Sequence, residues 1–219
     1  MPKTSWDSVG KQGERKFFQP SSMKDGETAR IAILEAEPYM DYVHYKPETG
    51  TFICLGEKDF DRNGVYRLID SGVCCEIIGE SGKPQYCLPV LRYDTNSKGK
   101  INGTPKTAEF ELMLWTFPQA VANMLDSAMS EYDAKAQDWL ITVKKQGQWM
   151  NISSVVPAKD SFHNKTGMKK RVQDAYETWS CKDVEKNMAR PLTEDQITEM
   201  LGENKSGRGR RGRGRVDDD

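Results

Sequence analysis

The sequence predicts a mainly β protein with some helix: a small antiparallel β-barrel, C-terminal helices and a disordered tail. Short runs of alternating apolar and polar residues recur between residues 28 and 155, with turn residues between them. One amphipathic helix, predicted at Phe117–Tyr132, interrupts this series of strands. From residue 205 onward glycine alternates with arginine and three aspartates follow, a composition that cannot build a core.

The composition limits the class of protein. The chain has 219 residues, of which 30% are charged and 37% hydrophobic, so one sizeable domain with a helical appendage is expected. No apolar run is long enough to cross a membrane, and the first residues contain no apolar leader, so we expect a cytoplasmic protein without a membrane partner. Five cysteines are an odd number, which favours free thiols or metal ligands over disulfides.

The charge is distributed unevenly along the chain. Six of the 32 basic residues and no acid lie in residues 205–215, and three of the 33 acids end the chain. The remaining body carries 26 basic and 30 acidic residues, a net charge of −4. A nucleic-acid surface must therefore come from local clustering on the body or from the tail.

Residues 1–23 are predicted to form an N-terminal arm, and residues 24–157 a barrel domain that begins with a turn at 24–27. The first half of this domain has three strand-like runs, at Thr28–Leu34, Met40–Tyr45 and Thr51–Leu55, and Tyr66, Arg67 and Ile69 precede a turn at residues 70–72. The second and third runs are joined by a turn at residues 47–50, which predicts a hairpin. A polar loop is predicted at residues 59–64.

The centre of the domain is the stretch Val73–Trp115. It is predicted to contain two strand-like runs, Val73–Asp94 and Glu109–Trp115, joined by a polar loop that is rich in glycine, asparagine and lysine. In the second run Phe110, Leu112 and Leu114 alternate with Glu109, Glu111 and Met113. This alternation predicts an antiparallel strand with one face on a core and the other face free.

A helix and a hairpin complete the domain. Pro118 in the first turn and the spacing Thr116-x-x-Gln119 predict the start of the helix that ends at Tyr132. Alternation over Asp138–Val155, with a turn at residues 144–148, predicts the hairpin. The apolar stripe of the helix is interpreted as core packing, and it consists of Val121, Met124, Leu125, Ala128, Met129 and Tyr132.

Residues 158–204 are predicted to be a helical C-terminal segment, and residues 205–219 a disordered tail. A helical stretch at residues 168–188 follows a linker-like start, and Thr193 is predicted to cap a short helix that Gly202 ends.

Five or more short antiparallel strands around one helix favour an OB-like barrel, whose exposed strand face binds oligonucleotides. Bases stack on aromatic side chains there, each stack contributing about 1–3 kcal/mol, while cations track the phosphates. The candidate contact residues on the body are Arg30, Tyr42, Tyr45, Phe52, Tyr66, Arg67, Lys83, Tyr86, Arg92, Tyr93, Lys144, Lys145 and Trp149. In the tail they are Arg208, Arg210, Arg211, Arg213 and Arg215, and the candidate partner-binding residues are Asp217, Asp218 and Asp219.

From residue 24 to residue 157 the layout resembles the single-stranded-DNA-binding (helix-destabilising) proteins of tailed bacteriophages. The features that carry this resemblance are the turn and strand at 24–34, the aromatic-flanked His44, Cys54, the Cys74–Cys75 pair, the strand Tyr86–Asp94, the helix that begins at Phe117-Pro118 and the hairpin Asp138–Val155. It implies an OB-fold that coats single strands without sequence preference during replication, recombination and repair in the host cytoplasm. It also implies a C-terminal tail that recruits replication proteins such as a polymerase or a helicase–primase.

Some members of that group hold a structural zinc ion with one histidine and three cysteines. The resemblance implies His44, Cys54, Cys75 and Cys87 as the ligands here, since neighbouring cysteines rarely both reach one tetrahedral ion. The alternative is that the thiols pack as small hydrophobic groups. The tail differs from the longer acidic tails of the group, because only three aspartates follow the Gly-Arg repeats.

We expect no enzymatic activity. The chain has two histidines, and no nucleophile elbow, P-loop or dinucleotide fingerprint is present. Two alternative functions stay open at the level of the sequence. One is an RNA-binding protein that uses its Gly-Arg tail, and the other is a transcription or replication assembly adaptor that uses helices within residues 168–201.

Overall fold

Ten strands and five α-helices are present in the computed structural model, which describes residues 17–47, 49–132, 139–147, 149–157, 162 and 165–206. The strands are β1 Phe17–Phe18, β2 Thr28–Ile33, β3 Tyr39–Lys46, β4 Gly50–Ile53, β5 Lys58–Phe60, β6 Tyr66–Leu68, β7 Lys83–Tyr93, β8 Phe110–Pro118, β9 Trp139–Gln146 and β10 Trp149–Pro157. The helices are α1 Val73–Ile78, α2 Gln119–Tyr132, α3 Thr166–Thr178, α4 Val184–Asn187 and α5 Glu194–Ser206. The coarse prediction of strands combined with helices is confirmed.

The chain divides into two compact units. Unit 1 consists of Met1–Met40 and Gln85–Met188, and unit 2 of Asp41–Pro84 and Ala189–Asp219. Each unit is therefore built from two separate stretches of the chain. The domain boundaries predicted from the sequence, at residues 23, 157 and 204, remain predictions.

Unit 1 is built on a sheet with the strand order β1-β8-β7-β2-β9-β10. The five longer strands pair antiparallel and curl into a half-barrel, and the two-residue strand β1 adds parallel to β8 at one edge. The predicted hairpin near residues 138–155 is confirmed as β9–β10, with an irregularity between Ile152 and Ser154.

Both faces of this sheet carry a core. On one face α2 places Leu125 against Ile31, Trp115 and Ile141. On the other face Met168 of α3 joins a second cluster of buried residues that includes Leu91. The predicted free face of β8 is therefore wrong near its centre, where successive side chains on both faces are buried. In a sheet that is covered on both sides, consecutive residues of a strand are both buried, so both need to be apolar.

Helix α2 begins later than predicted. Phe117 still pairs with Tyr86 in the β7–β8 ladder, so the strand continues through Pro118 and the helix starts at Gln119. Leu125 is buried as expected, whereas Met124 is 43% exposed and does not belong to the core.

Unit 2 has a small core of its own. Strands β3 and β4 form the predicted hairpin, and the backbone of Arg190 pairs alongside β4, with Ile53 donating to the Arg190 carbonyl at 3.1 Å. Helix α5 adds Ile197 and Leu201 to a buried cluster, whose other members are Phe52, Cys54, Cys74, Cys75 and Leu192.

Val73–Ile78 is a helix, so the prediction of a strand-like run over these residues is wrong. The six-residue run, apolar except for Glu76, is bounded by Gly72 and Gly79, and Gly79 adopts the left-handed conformation (φ 77°) and donates its N–H to the Cys75 carbonyl. A short apolar run between two glycines has no periodicity long enough to distinguish a strand from one helical turn and a half. Here the left-handed glycine ends the helix.

The predicted polar loop at residues 59–64 is part of a second hairpin, β5–β6. The Asp61 carboxylate accepts the N–H groups of Asn63 and Val65, at 2.8 and 3.0 Å, and thereby fixes the turn. Gly64 takes a positive φ of 73° in this turn. The strands are only three residues long, which is why alternation did not reveal them.

The predicted cap of the last helix is confirmed. The Thr193 hydroxyl accepts the Gln196 N–H at 3.3 Å, and the Gln196 side chain accepts the Thr193 N–H at 3.0 Å, which is a capping box. The predicted end at Gly202 is wrong, since α5 continues to Ser206. The predicted tail beyond it lies outside the described residues, as do Arg208, Arg210, Arg211, Arg213, Arg215 and Asp217, Asp218 and Asp219. Among the helices described, none combines the length and apolar character needed to span a membrane.

Candidate functional site

One buried group of metal-ligating side chains stands out in the described part of the chain. It consists of His44, Cys54, Cys74 and Cys75, all in unit 2, and their candidate ligand atoms lie within 4.8 Å of one another. His44 comes from β3, Cys54 directly follows β4, and the cysteine pair lies in the first turn of α1. A hairpin and a helix thus bring together residues that are thirty-one positions apart in sequence.

Three of the six distances between these ligand atoms are close to those of a tetrahedral zinc site, and all six are within 4.8 Å. The Cys54 sulfur lies 3.7 Å from that of Cys74 and 3.5 Å from that of Cys75, and the His44 Nε2 atom lies 3.5 Å from the Cys75 sulfur. With Zn–S bonds of about 2.3 Å and Zn–N bonds of about 2.0–2.1 Å, tetrahedral angles place sulfurs about 3.8 Å apart and sulfur and nitrogen about 3.6 Å apart. All three cysteines are free thiols. The donor set of one imidazole and three thiols is one that structural zinc sites use.

Backbone N–H groups donate hydrogen bonds to the thiols, as they do to thiolate ligands in metal sites. The N–H of Leu55 donates to the Cys74 sulfur at 3.2 Å, and the N–H of Gly56 donates to the Cys54 sulfur at 3.4 Å. Such hydrogen bonds stabilise the charged form of a ligand sulfur. The two residues directly after Cys54 therefore contribute hydrogen-bond donors to the cluster from their backbone.

Three positions around the cluster have no room for a Cβ atom and therefore require glycine. A Cβ atom on Gly82 would lie 2.9 Å from the Cys54 Cβ and 3.1 Å from its sulfur. A Cβ on Gly56 would lie 2.4 Å from the Asp70 carbonyl oxygen, and one on Gly72 would lie 2.6 Å from the Gly56 nitrogen. The turns that present the thiols are thus packed against each other without room for a side chain.

Burial and neighbouring groups shift the pKa values of the cluster residues in different directions. Burial lowers the pKa of His44, and the nearby Lys46 lowers it further, so the imidazole is neutral and able to ligate near pH 7. Burial opposes ionisation of Cys75, but amide donation from Gly82 and Gly72 and the neighbouring thiols bring its pKa below the ordinary value. Burial raises the pKa of Cys54 to about 12.

The predicted ligand set is corrected at one position. Cys74 takes the place predicted for Cys87, which is buried in β7 and is not part of the cluster. Adjacent cysteines both reach the cluster because they lie in the first turn of a helix, where the Gly72 carbonyl accepts the Cys75 N–H at 2.8 Å. In a strand, by contrast, neighbouring side chains point to opposite faces and would not both reach one ion.

The predicted aromatic contacts divide by exposure. Tyr45 is 68% exposed, and Tyr42, Tyr66 and Tyr86 are half-buried. Phe52 and Tyr93 are 0% and 2% exposed, so neither can offer a ring face to a base and both predictions are wrong. Both rings instead belong to buried clusters, which is the more frequent role of a strand aromatic.

Several half-buried aromatic and basic candidates have partners within their own unit. The Tyr86 hydroxyl donates to Gln119 at 2.6 Å, and its ring is stacked on Phe117. Arg30 donates to the Gly99 carbonyl and to the Thr142 hydroxyl. Arg92 pairs with Glu27 at 3.2 Å, and Arg67 with Asp61 at 2.7 Å. Lys83 is exposed beside Glu80, and Lys145 is 8% exposed. Trp149 lies in β10, and its side chain is outside the described part.

Unit 1 has a polar groove of about 710 Å³ that brings three cations together. Arg92, Lys98 and Lys144 line it, but so do four carboxylates, those of Glu27, Asp94, Glu109 and Glu111. The lining is therefore mixed in charge. Of the candidate contact residues, this groove brings together the half-buried cations Arg92 and Lys144, and the buried Tyr93 also lines it.

Sequence reasoning missed Cys74 and the three glycines. The spacing Cys54-Leu55-Gly56 is a signal for a thiol turn with an amide donor, and Gly72 directly before the cysteine pair is a second one. In comparisons with known proteins, no protein-family model matches this chain and no curated protein has a similar sequence.

Proposed function

We propose that this chain binds single-stranded DNA without sequence preference, as the phage helix-destabilising proteins that it resembles do. The observation that carries the proposal is the buried cluster of one histidine and three cysteines. The resemblance implies a zinc ligand set of this composition in this region, and the cluster has the spacing of a tetrahedral ion. The curled five-stranded sheet of unit 1 supports the proposal because an OB-like barrel is built on such a sheet.

Zinc is the metal that fits the donor set, and its contribution is structural. Three thiols and an imidazole, the only donors that the described residues bring together here, form a four-ligand set, which is typical of zinc sites that stabilise a fold. His44 and Cys54 would hold the β3–β4 hairpin, and Cys74 and Cys75 would hold the start of α1. The residues around the cluster would then keep Tyr45 and Lys83 in fixed positions on unit 2.

Each unit offers candidates for both kinds of contact. In unit 2, Tyr45, at 68% exposure, would stack on a base and Lys83 would contact a phosphate. In unit 1, the half-buried side chains of Tyr86 and Lys144 would take the same two roles. Each stacked base adds about 1–3 kcal/mol, and stacking tolerates any base because every base has a π face. A duplex covers these faces, so binding favours the unpaired strand and melts secondary structure.

Fluorescence of the five tryptophans tests this proposal. We expect a single-stranded oligonucleotide to bind tightly, with an affinity that falls as salt increases by a slope of about 0.7 for each phosphate contact. The matched duplex should bind much more weakly. Equal binding of both, or binding of neither, would refute the proposal. A matched RNA strand in a third titration separates a preference for DNA from the RNA-binding alternative, because discrimination then depends on the 2′-hydroxyl.

A further inference from the structure

Exposed apolar side chains are concentrated on one small hairpin of unit 2. Of the six large apolar side chains that are exposed in the described part of the chain, five lie between Tyr45 and Ile69. Phe60 is 65% exposed, Val65 48% and Ile69 55%, and all three lie on or directly after β5–β6. Isolated exposed apolar residues need no explanation, but a group of them on one hairpin indicates a binding surface.

Hydrogen bonds and an ion pair fix the shape of this hairpin, so it can serve as a platform for a partner. Its turn is fixed by the Asp61 carboxylate, and its base by the hydrogen bond from the Ile69 N–H to the Glu57 carbonyl at 2.8 Å. Lys58 donates to Asp41 at 2.6 Å, and this ion pair is largely buried. The Phe60 ring contacts the Tyr66 ring, with 5.2 Å between the ring centroids. The exposed aromatic ring is therefore held in a defined orientation.

The charge on this platform is acidic. Residues 57–70 contain four carboxylates and three cations. Two of these cations are already paired, Lys58 with Asp41 and Arg67 with Asp61. The exposed carboxylates that remain on the platform are Glu57, Asp59 and Asp70, and Arg62 is the remaining exposed cation, so this surface is net acidic. A net acidic surface with an exposed aromatic ring disfavours phosphate and attracts a basic segment with side chains that stack on aromatic rings.

A segment with these properties follows α5 in the same chain. Residues 205–215 hold six positive charges and no acid, and five of the six are arginines interspersed with glycines. Helix α5 ends at Ser206 and shares its buried cluster with Leu68 of β6. The nine residues from Gly207 to Arg215 span up to about 30 Å when extended.

We propose that the Gly-Arg segment, residues 207–215, binds back onto the acidic aromatic platform formed by β5–β6 in its own chain. Arginine guanidinium groups stack on Phe60 and pair with Asp59 and Asp70. Glycines between them let successive arginines turn towards the same surface. Each contact is weak, but the segment is attached to the same unit, and attachment gives it a high effective concentration.

This contact gives the tail two competing partners. The same arginines bind either the platform or phosphate, so a single strand that reaches the tail releases it from Phe60. The platform therefore restricts the tail to ligands with enough phosphate charge to displace it. The contact itself requires no nucleic acid, and its test does not depend on the proposed DNA binding.

The test uses the full chain, loaded with zinc, and backbone amide NMR at low salt. In a full-length variant all five tail arginines, Arg208, Arg210, Arg211, Arg213 and Arg215, are replaced by glutamine. We expect the amide signals of residues 57–70 to shift between the two proteins, while those of α3 stay unchanged. In the parent protein, 0.5 M salt should move the same signals towards the positions seen in the variant. Identical hairpin signals in both proteins would overturn the proposal.

Two further full-length variants identify the surface. The double change Asp59→Asn and Asp70→Asn should return the side-chain N–H signals of the tail arginines to the positions seen at high salt. The matched double change Asp174→Asn and Glu177→Gln, on the exposed side of α3, removes the same charge and should leave them unchanged. If both double variants shift the arginine signals equally, charge in general and not the platform is responsible. Signals that depend on protein concentration would assign the tail to a second copy and overturn the contact within one chain.

Discussion

Replacing Cys74 and Cys87 separately distinguishes the observed cluster from the ligand set that the resemblance implies. Cys74 lies 3.7 Å from the Cys54 sulfur and accepts the Leu55 amide, whereas Cys87 is a buried thiol of β7 outside the cluster. We expect Cys74→Ser to lose zinc and Cys87→Ser to retain it. Both thiols are fully buried, so the two changes are matched in burial as well as in chemistry.

The size of the effect follows from the number of ligands. Structural zinc sites bind with an apparent free energy of about 10–16 kcal/mol, so one of four ligands accounts for roughly 2.5–4 kcal/mol, or about two to three orders of magnitude in affinity. Cys87→Ser instead places a hydroxyl in an apolar site, at a cost of about 1–3 kcal/mol in folding stability. The first change lowers metal affinity, and the second lowers only the free energy of unfolding.

Elemental analysis of the purified proteins and competition with a chromophoric chelator measure zinc content and affinity. Thermal unfolding with and without added zinc measures the stability that the metal provides. We expect one zinc per chain in the parent protein and in Cys87→Ser, and a zinc-dependent rise in melting temperature in both. Retention of zinc by Cys74→Ser at parental affinity, or its loss from Cys87→Ser, would refute the geometry of the cluster.

Three other changes test the same site and the nucleic-acid surface. Zinc affinity, measured by competition between about pH 5 and 8, should fall as the pH falls, because protonation removes the imidazole ligand. Burial lowers the pKa of His44 below 6.5. The folding stability that depends on a neutral imidazole is therefore complete above pH 6.5 and is lost as the pH falls through the lowered pKa. Gly82→Ala should weaken zinc binding, since its Cβ would lie 3.1 Å from a ligand sulfur, whereas Gly79→Ala, which has open space but a φ of 77°, should cost about 1 kcal/mol of stability and leave zinc affinity unchanged. Tyr45→Ala should weaken single-strand binding by about 1–3 kcal/mol at an unchanged melting temperature, while Tyr93→Ala should cost about 3–5 kcal/mol of stability. Affinity that is insensitive to pH, equal effects of the two glycine changes, or a lowered melting temperature for Tyr45→Ala would each contradict the corresponding argument.

The sequence predicted the longer elements well because their patterns are long enough to be specific. The hairpin at residues 138–155 and the helix that ends at Tyr132 have several periods of alternation or helical spacing, and the capping box at Thr193 is a local signal. Three-residue strands such as β5 and β6 have too few residues for a period. Their hairpin is determined by the Asp61 turn instead.

The sequence could predict that one histidine and three cysteines form the cluster, but not which three cysteines they are. His44 and Cys54 come from neighbouring strands of one hairpin, so their proximity follows from local pairing. The choice between Cys74 and Cys87 depended on whether Val73–Ile78 is a strand or a helix, which a six-residue apolar run does not decide. Exposure of single aromatics, as for Tyr93, depends on α3 packing against the second face of the sheet. That packing is a long-range contact and leaves no local signal.

The small size of its core explains why unit 2 would depend on a metal. Three of the seven buried residues in its apolar cluster are Cys54, Cys74 and Cys75, so the thiols themselves form much of the interior. Without an ion these thiols contribute little burial, and small units with so few large apolar side chains need an additional constraint. Helix α5 contributes Ile197 and Leu201 to the same cluster from the far end of the chain. A metal that orders α1 therefore also stabilises the docking of α5, and through α5 it fixes the point from which the Gly-Arg segment begins.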